Sequence, residues 1–188
     1  MKYYLSILTL LLSLNLLSQS TDKNKPNPFY FGIEQDVLPY FLKGYILTGW
    51  TGRDFMRCRF SYAQATNPKF ILADGISYDR VKAFGISFEY FFKENFEGFW
   101  LGPGIGYWTN NVTGQLYETG VNESVIFTFG GGYNFRLTNW LYFSPWVAGH
   151  TRVSGTAPLS LISTIYKPAI FTPELSIKLG IKFPVKAK

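Results

Sequence analysis

The stretch DRVKAFGISFEYFFKENFEGFWLGPGIGYWTNN, residues 79–111, holds two runs of alternating side chains around a short polar turn, ENFEG. In the first run Phe84, Ile86, Phe88 and Tyr90 share one parity, and Ala83, Gly85, Ser87 and Glu89 the other. In the second, Phe99, Leu101, Ile105 and Tyr107 oppose Gly102, Gly104, Gly106, Trp108 and Asn110. A period of two means β-strand, because successive side chains point to opposite faces. One face is large and apolar. The other is small or polar and carries a carboxylate. A soluble sheet hides the first face, whereas a membrane barrel turns it to lipid and packs the second inside.

The rest of the chain decides between them. Alternation recurs over 29–35, 56–65, 124–136, 140–153 and 173–184. Residues 42–51 read as a strand whose two faces are both mixed, so its parity is left open. That makes eight strands. The connections at 36–41, 67–79, 111–123 and 154–172 are long or polar, and those between them are tight. An even strand number with short turns at one end and longer loops at the other is the pattern of an eight-stranded antiparallel up-and-down transmembrane β-barrel.

Residues 1–20, MKYYLSILTLLLSLNLLSQS, place Lys2 before an apolar core and a small polar exit, which fits a secretory signal peptide. Residues 21–28 are a polar leader, and 29–188 form the barrel domain. After the signal no run reaches the ~18 apolar residues of a spanning helix. In 188 residues, 19% are aromatic and 16% charged, below the ~25% charged of typical soluble domains. The net charge of +6 is scattered rather than clustered, which argues against nucleic acid. The single cysteine, Cys58, excludes an internal disulfide.

With the small, polar parity inward, the lumen receives Glu34, Glu89 and Glu174 together with Arg57, Arg59, Arg136, Lys178 and Lys182. Unpaired charges in a closed barrel are costly, so pairing is expected: Arg57 and Arg59 with Glu89, and Lys178 or Lys182 with Glu34. Eight strands leave room for side chains rather than an open pore. The only histidine, His150, falls inward near the loop end of the seventh strand. It is the one weak candidate for catalysis, since an imidazole can activate a hydroxyl. Its same-strand neighbours give it no nucleophile: Arg152 occupies the nearest inward position, Thr151 points outward, and Ser144 lies roughly 20 Å along the strand. Ser154, four residues along, starts a loop, and a partner would have to come from another strand or loop. One histidine without a cysteine partner predicts no metal site, and no cofactor motif is present.

The alternation, the export signal and the closing strand ELSIKLGIKF (residues 174–183) resemble the small eight-stranded outer-membrane barrels of Gram-negative bacteria. In that class the last strand is recognised by the barrel assembly machinery. Here Phe183 is followed by PVKAK. The segments YFFKENFEGFWLGPGIGYW (90–108) and PELSIKLGIKF (173–183) resemble a barrel family common in Bacteroidetes. The resemblance implies a cell outer-membrane location, a porin-like architecture, outer-membrane lipid and the assembly machinery as partners, and a monomer. The expected role is non-enzymatic, structural or surface-presenting. Two alternatives stand beside it: an outer-membrane lipid-modifying enzyme using His150, and a soluble exported lipocalin-like binder of small apolar ligands. The latter would place Phe84, Phe88, Phe127 and Phe129 inside.

Overall fold

The computed structural model describes residues 28–156, 158–162 and 164–185. The signal expected over 1–20, and the leader as far as residue 27, lie outside the described residues. Eight long strands run in chain order: β1 (Phe29–Asp36), β2 (Tyr45–Arg53), β3 (Met56–Thr66), β4 (Ile76–Phe91), β5 (Gly98–Gly114), β6 (Thr119–Arg136), β7 (Leu141–Gly155) and β10 (Phe171–Val185). Each pairs antiparallel with its neighbours, and β1 closes onto β10 in a complete barrel. Closure leaves no sheet edge with free backbone groups. Two short strands, β8 (Leu159–Ser160) and β9 (Ile165–Tyr166), pair in the connection from β7 to β10.

The parity read from 79–111 holds around the wall. Phe84, Phe88, Phe127 and Phe129 are 53, 55, 43 and 53% exposed, whereas Arg57, Arg59 and Glu89 are buried at 1, 6 and 1%. A lipocalin-like binder requires the reverse. The open parity of the second strand also resolves. Thr48, Trp50 and Gly52 face inward, and Tyr45 and Leu47 face out.

The outer surface changes character along one row of paired residues. Gln64 pairs with Lys82, Lys82 with Thr109, and Thr109 with Glu123. Between this row and the short turns, the outward positions of β3 to β6 carry no charged side chain. On β5 they run from Phe99 to Tyr107, roughly 20 Å tall at the usual strand rise and tilt, against ~25 Å for the apolar band of membrane barrels. Tyr45, paired with Gln64 on the row, and Tyr62 just below it sit together, ring centroids 6.0 Å apart, as interfacial aromatics do.

Two connections differ from the sequence expectation. The polar segment 111–123 is mostly strand: β5 and β6 pair as far as Thr113 and Thr119, leaving a short turn. There β4, β5 and β6 continue beyond the row; the outer face meets water and the inner face buries hydrogen-bonded polar groups such as Asn110 and Asn122, so period two no longer separates apolar from polar. The segment 67–79 likewise ends in strand, because β4 begins at Ile76. The segment 154–172, a long connection in the sequence, folds back onto the wide end of the barrel. Tyr166 is 7% exposed against Ile76 and Val112, and its hydroxyl donates to Asp79 Oδ2 at 3.1 Å. Burial beside that carboxylate raises the Tyr166 pKa above the ordinary phenol range, so the group stays a donor.

Close packing of the wall makes one glycine testable. A Cβ at Gly102 would overlap the Phe88 carbonyl oxygen, whereas one at Gly85 would find its nearest atom at 3.5 Å. Gly102→Ala is expected to lower stability by about 1–3 kcal/mol through overpacking, and Gly85→Ala to leave it within about 0.5 kcal/mol. Urea titration of the refolded barrel, followed by gel mobility, measures both.

Candidate functional site: the barrel interior

Interior side chains divide into a floor, a charged middle and a cavity beneath the mouth. The floor lies near the short turns. Trp50, Phe91, Phe96, Trp100 and Tyr142 form one buried cluster. Phe96 comes from the turn that reads as polar in sequence. Positive φ at Asn95 (60°) and Phe96 (58°) folds this ring inward, edge-on to Trp50 at 5.2 Å and to Phe91 at 5.3 Å. Asn134 Nδ2 donates to the Phe96 carbonyl at 3.1 Å and holds the turn there. A lone aromatic among polar turn residues is the signal that could have marked it.

Above the floor, Arg57 donates through Nε to Glu89 Oε2 at 2.6 Å and through Nη1 to Glu34 Oε1 at 2.8 Å. Arg59 joins the same two carboxylates: Nη1 lies 2.6 Å from Glu89 Oε1 and Nη2 3.2 Å from Glu34 Oε2. Tyr142 donates to Glu34 Oε1 at 2.6 Å and accepts from Trp50 Nε1 at 2.8 Å. The Arg57 guanidinium also packs 4.9 Å from the centroids of both Trp50 and Phe91. Planar guanidinium forks suit this shared, multidentate pairing.

The remaining expected lumen residues separate. Neither Lys178 nor Lys182 pairs directly with Glu34. Lys178 is 1% exposed and stacks its ammonium 3.6 Å from the centroid of Trp146, with Trp100 at 5.3 Å. Its strand position faces Ser144 of β7 on one side and Asp36 of β1 on the other. Lys182 reaches the opposite way, to the Asn95 carbonyl at 2.6 Å and toward Glu97 at 3.7 Å. Arg136 is not a lumen residue: its side chain is 55% exposed and meets Glu97 at 3.1 Å on the rim. As the last residue of β6 it has water within reach and no reason to bury. Asp36 and Asp79 are buried polar groups that the sequence reading left out, and Asn110, on the inward parity, is buried as well. Asp36 accepts from Ser176 Oγ and from Trp146 Nε1 at 3.0 Å. Asp79 accepts from Asn110 Nδ2 at 3.0 Å and Asn67 Nδ2 at 2.8 Å.

His150 is 8% exposed and has two side-chain partners on other strands. Nδ1 lies 2.8 Å from Thr128 Oγ1 on β6, and Nε2 lies 2.7 Å from Glu174 Oε2 on β10. Trp108 packs against the ring at 5.2 Å. Thr128, His150, Glu174, Trp108, Trp146 and Lys178 all border a cavity of about 140 Å³. Nearer the mouth a second cavity, about 490 Å³, is lined by Asp79, Ile126, Arg152, Tyr166 and Phe171, again with Trp108 and His150. No group of three or more potential metal ligands occurs among the described residues.

Fold and interior together define a closed eight-stranded barrel with an apolar exterior and a polar, largely filled lumen. A similar chain is Neisserial surface protein A, in a crystal structure with TM-score 0.56 and 12% identity over 84% of this chain and 96% of that one. The N-terminal β-barrel domain of Pseudomonas aeruginosa OprF has 13% identity and TM-score 0.46 over 84% of this chain and 98% of that one. At these identities the likeness concerns the fold alone. No protein-family model and no curated protein matches the chain.

Proposed function

We propose that the protein resides in a bacterial outer membrane as a closed barrel of structural or surface-presenting role. The observation that carries this reading is the uncharged outer belt ending at the row Gln64–Lys82–Thr109–Glu123. A water-soluble protein rarely exposes a contiguous apolar patch of more than a few hundred Å², and this belt surrounds the molecule. In lipid it meets hydrocarbon, with the β5–β6 extension and the connections of the wide end projecting outward. The short turns, the start of β1 at Phe29 and the end of β10 at Val185 then lie at the periplasmic side. The belt is uniform enough for a monomer surrounded by lipid, inserted by the barrel assembly machinery. The buried aromatic floor and the ion cluster supply a reason for the barrel to conduct nothing.

Fractionation with gel mobility tests the placement. The expected result is recovery with the outer membrane and a band that shifts on boiling. Recovery in the soluble periplasm without a shift would overturn it. In planar bilayers the purified barrel is expected to show no steady conductance, and discrete openings in the unmodified protein would overturn the closed-lumen part.

A further inference from the structure

We propose that Thr128, His150 and Glu174 form a catalytic triad that hydrolyses carboxylic esters, with Thr128 Oγ1 as the nucleophile. The proposal goes beyond the scaffold reading and does not depend on it. Its basis is a continuous hydroxyl–imidazole–carboxylate chain across three adjacent strands, with links of 2.8 Å and 2.7 Å. An ionised Glu174 can only accept, so His150 Nε2 carries the proton and donates to it. In the neutral ring Nδ1 is then the acceptor, and the Thr128 hydroxyl points its proton at it. That is the arrangement in which an adjacent base activates a hydroxyl.

The surroundings fit a reaction site better than a merely satisfied core histidine. Cavities border His150 on both sides: the 140 Å³ space below and the 490 Å³ space under the mouth. Thr128 pairs across the ladder with Gly104 on one side and His150 on the other. Glycine leaves the approach to the hydroxyl free of a side chain. Trp108 fixes the plane of the imidazole. The lower cavity is lined by both apolar and polar groups, and its volume suits an acyl group about the size of benzene. The alcohol portion would occupy the upper cavity, alongside Arg152 and Lys167.

The chemistry balances with water as co-reactant. Thr128 Oγ1 attacks the ester carbonyl carbon as its proton passes to His150 Nδ1, and Glu174 stabilises the imidazolium. The ester C–O bond breaks, and the alcohol leaves with the proton from Nδ1. Water then attacks the acyl-threonine, giving one proton to Nδ1. The acid departs, and Thr128 recovers its proton from the histidine.

The test uses the full barrel in detergent with p-nitrophenyl butyrate and hexanoate, each variant first checked for the boiling-dependent gel shift. Wild type is expected to hydrolyse both above the detergent blank. Thr128→Val and His150→Gln are expected to lose about 10²-fold or more, and Thr128→Ser to retain activity. Mass spectrometry of quenched wild type should place the acyl adduct on Thr128, which decides the matter even if a variant fails to fold. No turnover by wild type, an adduct elsewhere, or a folded Thr128→Val at the wild-type rate would each overturn the proposal.

Discussion

Replacing Arg57 by alanine is expected to destabilise the barrel by about 3–5 kcal/mol, because it strands buried charge. Arg57 is 1% exposed and holds Glu34 and Glu89, each also 1% exposed. Without it, Arg59 is the only guanidinium still paired with the two buried carboxylates. The pair itself is weak evidence of net stabilisation, since a well-packed apolar replacement of a whole cluster is often neutral or better. Removing Glu34 as well should therefore recover part of the loss, because Arg59 and Glu89 then balance. Lysine at 57 should not rescue, as a point charge cannot serve two carboxylates and pack its faces on Trp50 and Phe91 at once. Urea midpoints of the refolded barrel give the values. A single-variant loss below about 1 kcal/mol, or a double variant no better than the single, would contradict this account.

The second large effect separates two residues that look alike by exposure. Ile105 is 58% exposed and lies within the belt; Val121 is 52% exposed and lies beyond the polar row. In water, arginine at either position would cost little, as surface changes usually do. In a bilayer, Ile105→Arg is expected to cost about 2–4 kcal/mol, and Val121→Arg about 0–1 kcal/mol. Refolding into lipid vesicles, with folded fractions read from the gel shift, measures the difference. Equal costs at the two sites would remove the membrane from the explanation of the belt.

Legibility followed the physics of each region. Where one face of a strand is buried and the other meets an apolar medium, every second residue is constrained, so the parity of residues 84–90 and 99–107 could be read directly. On β2 both faces mix apolar and polar residues, and only the packing of Trp50 into the floor sets which one points inward. Beyond the polar row the outer face of β5 and β6 is wet and the inner face buries polar Asn110 and Asn122, so the apolar–polar contrast disappears and strand resembles loop.

The interior was partly legible. Inward parity puts Arg57, Arg59 and Glu89 on the same side of neighbouring strands, and the register brings Arg57 opposite Glu89. Arg136 broke that rule because parity says nothing of depth, and the last residue of a strand is wet whichever way it points. Phe96 broke another, since its inward course depends on two positive φ angles rather than on a period.

By itself, then, the sequence determined the alternation, the strand number and the sign of each face except that of β2, because those follow from the two-residue repeat and from the cost of burying charge. Only the tertiary structure decided which groups meet. His150, Thr128 and Glu174 are far apart along the chain, and closure of β6, β7 and β10 side by side brings them within hydrogen-bond reach. No pattern within one strand encodes that distance, because it is set by the register between strands.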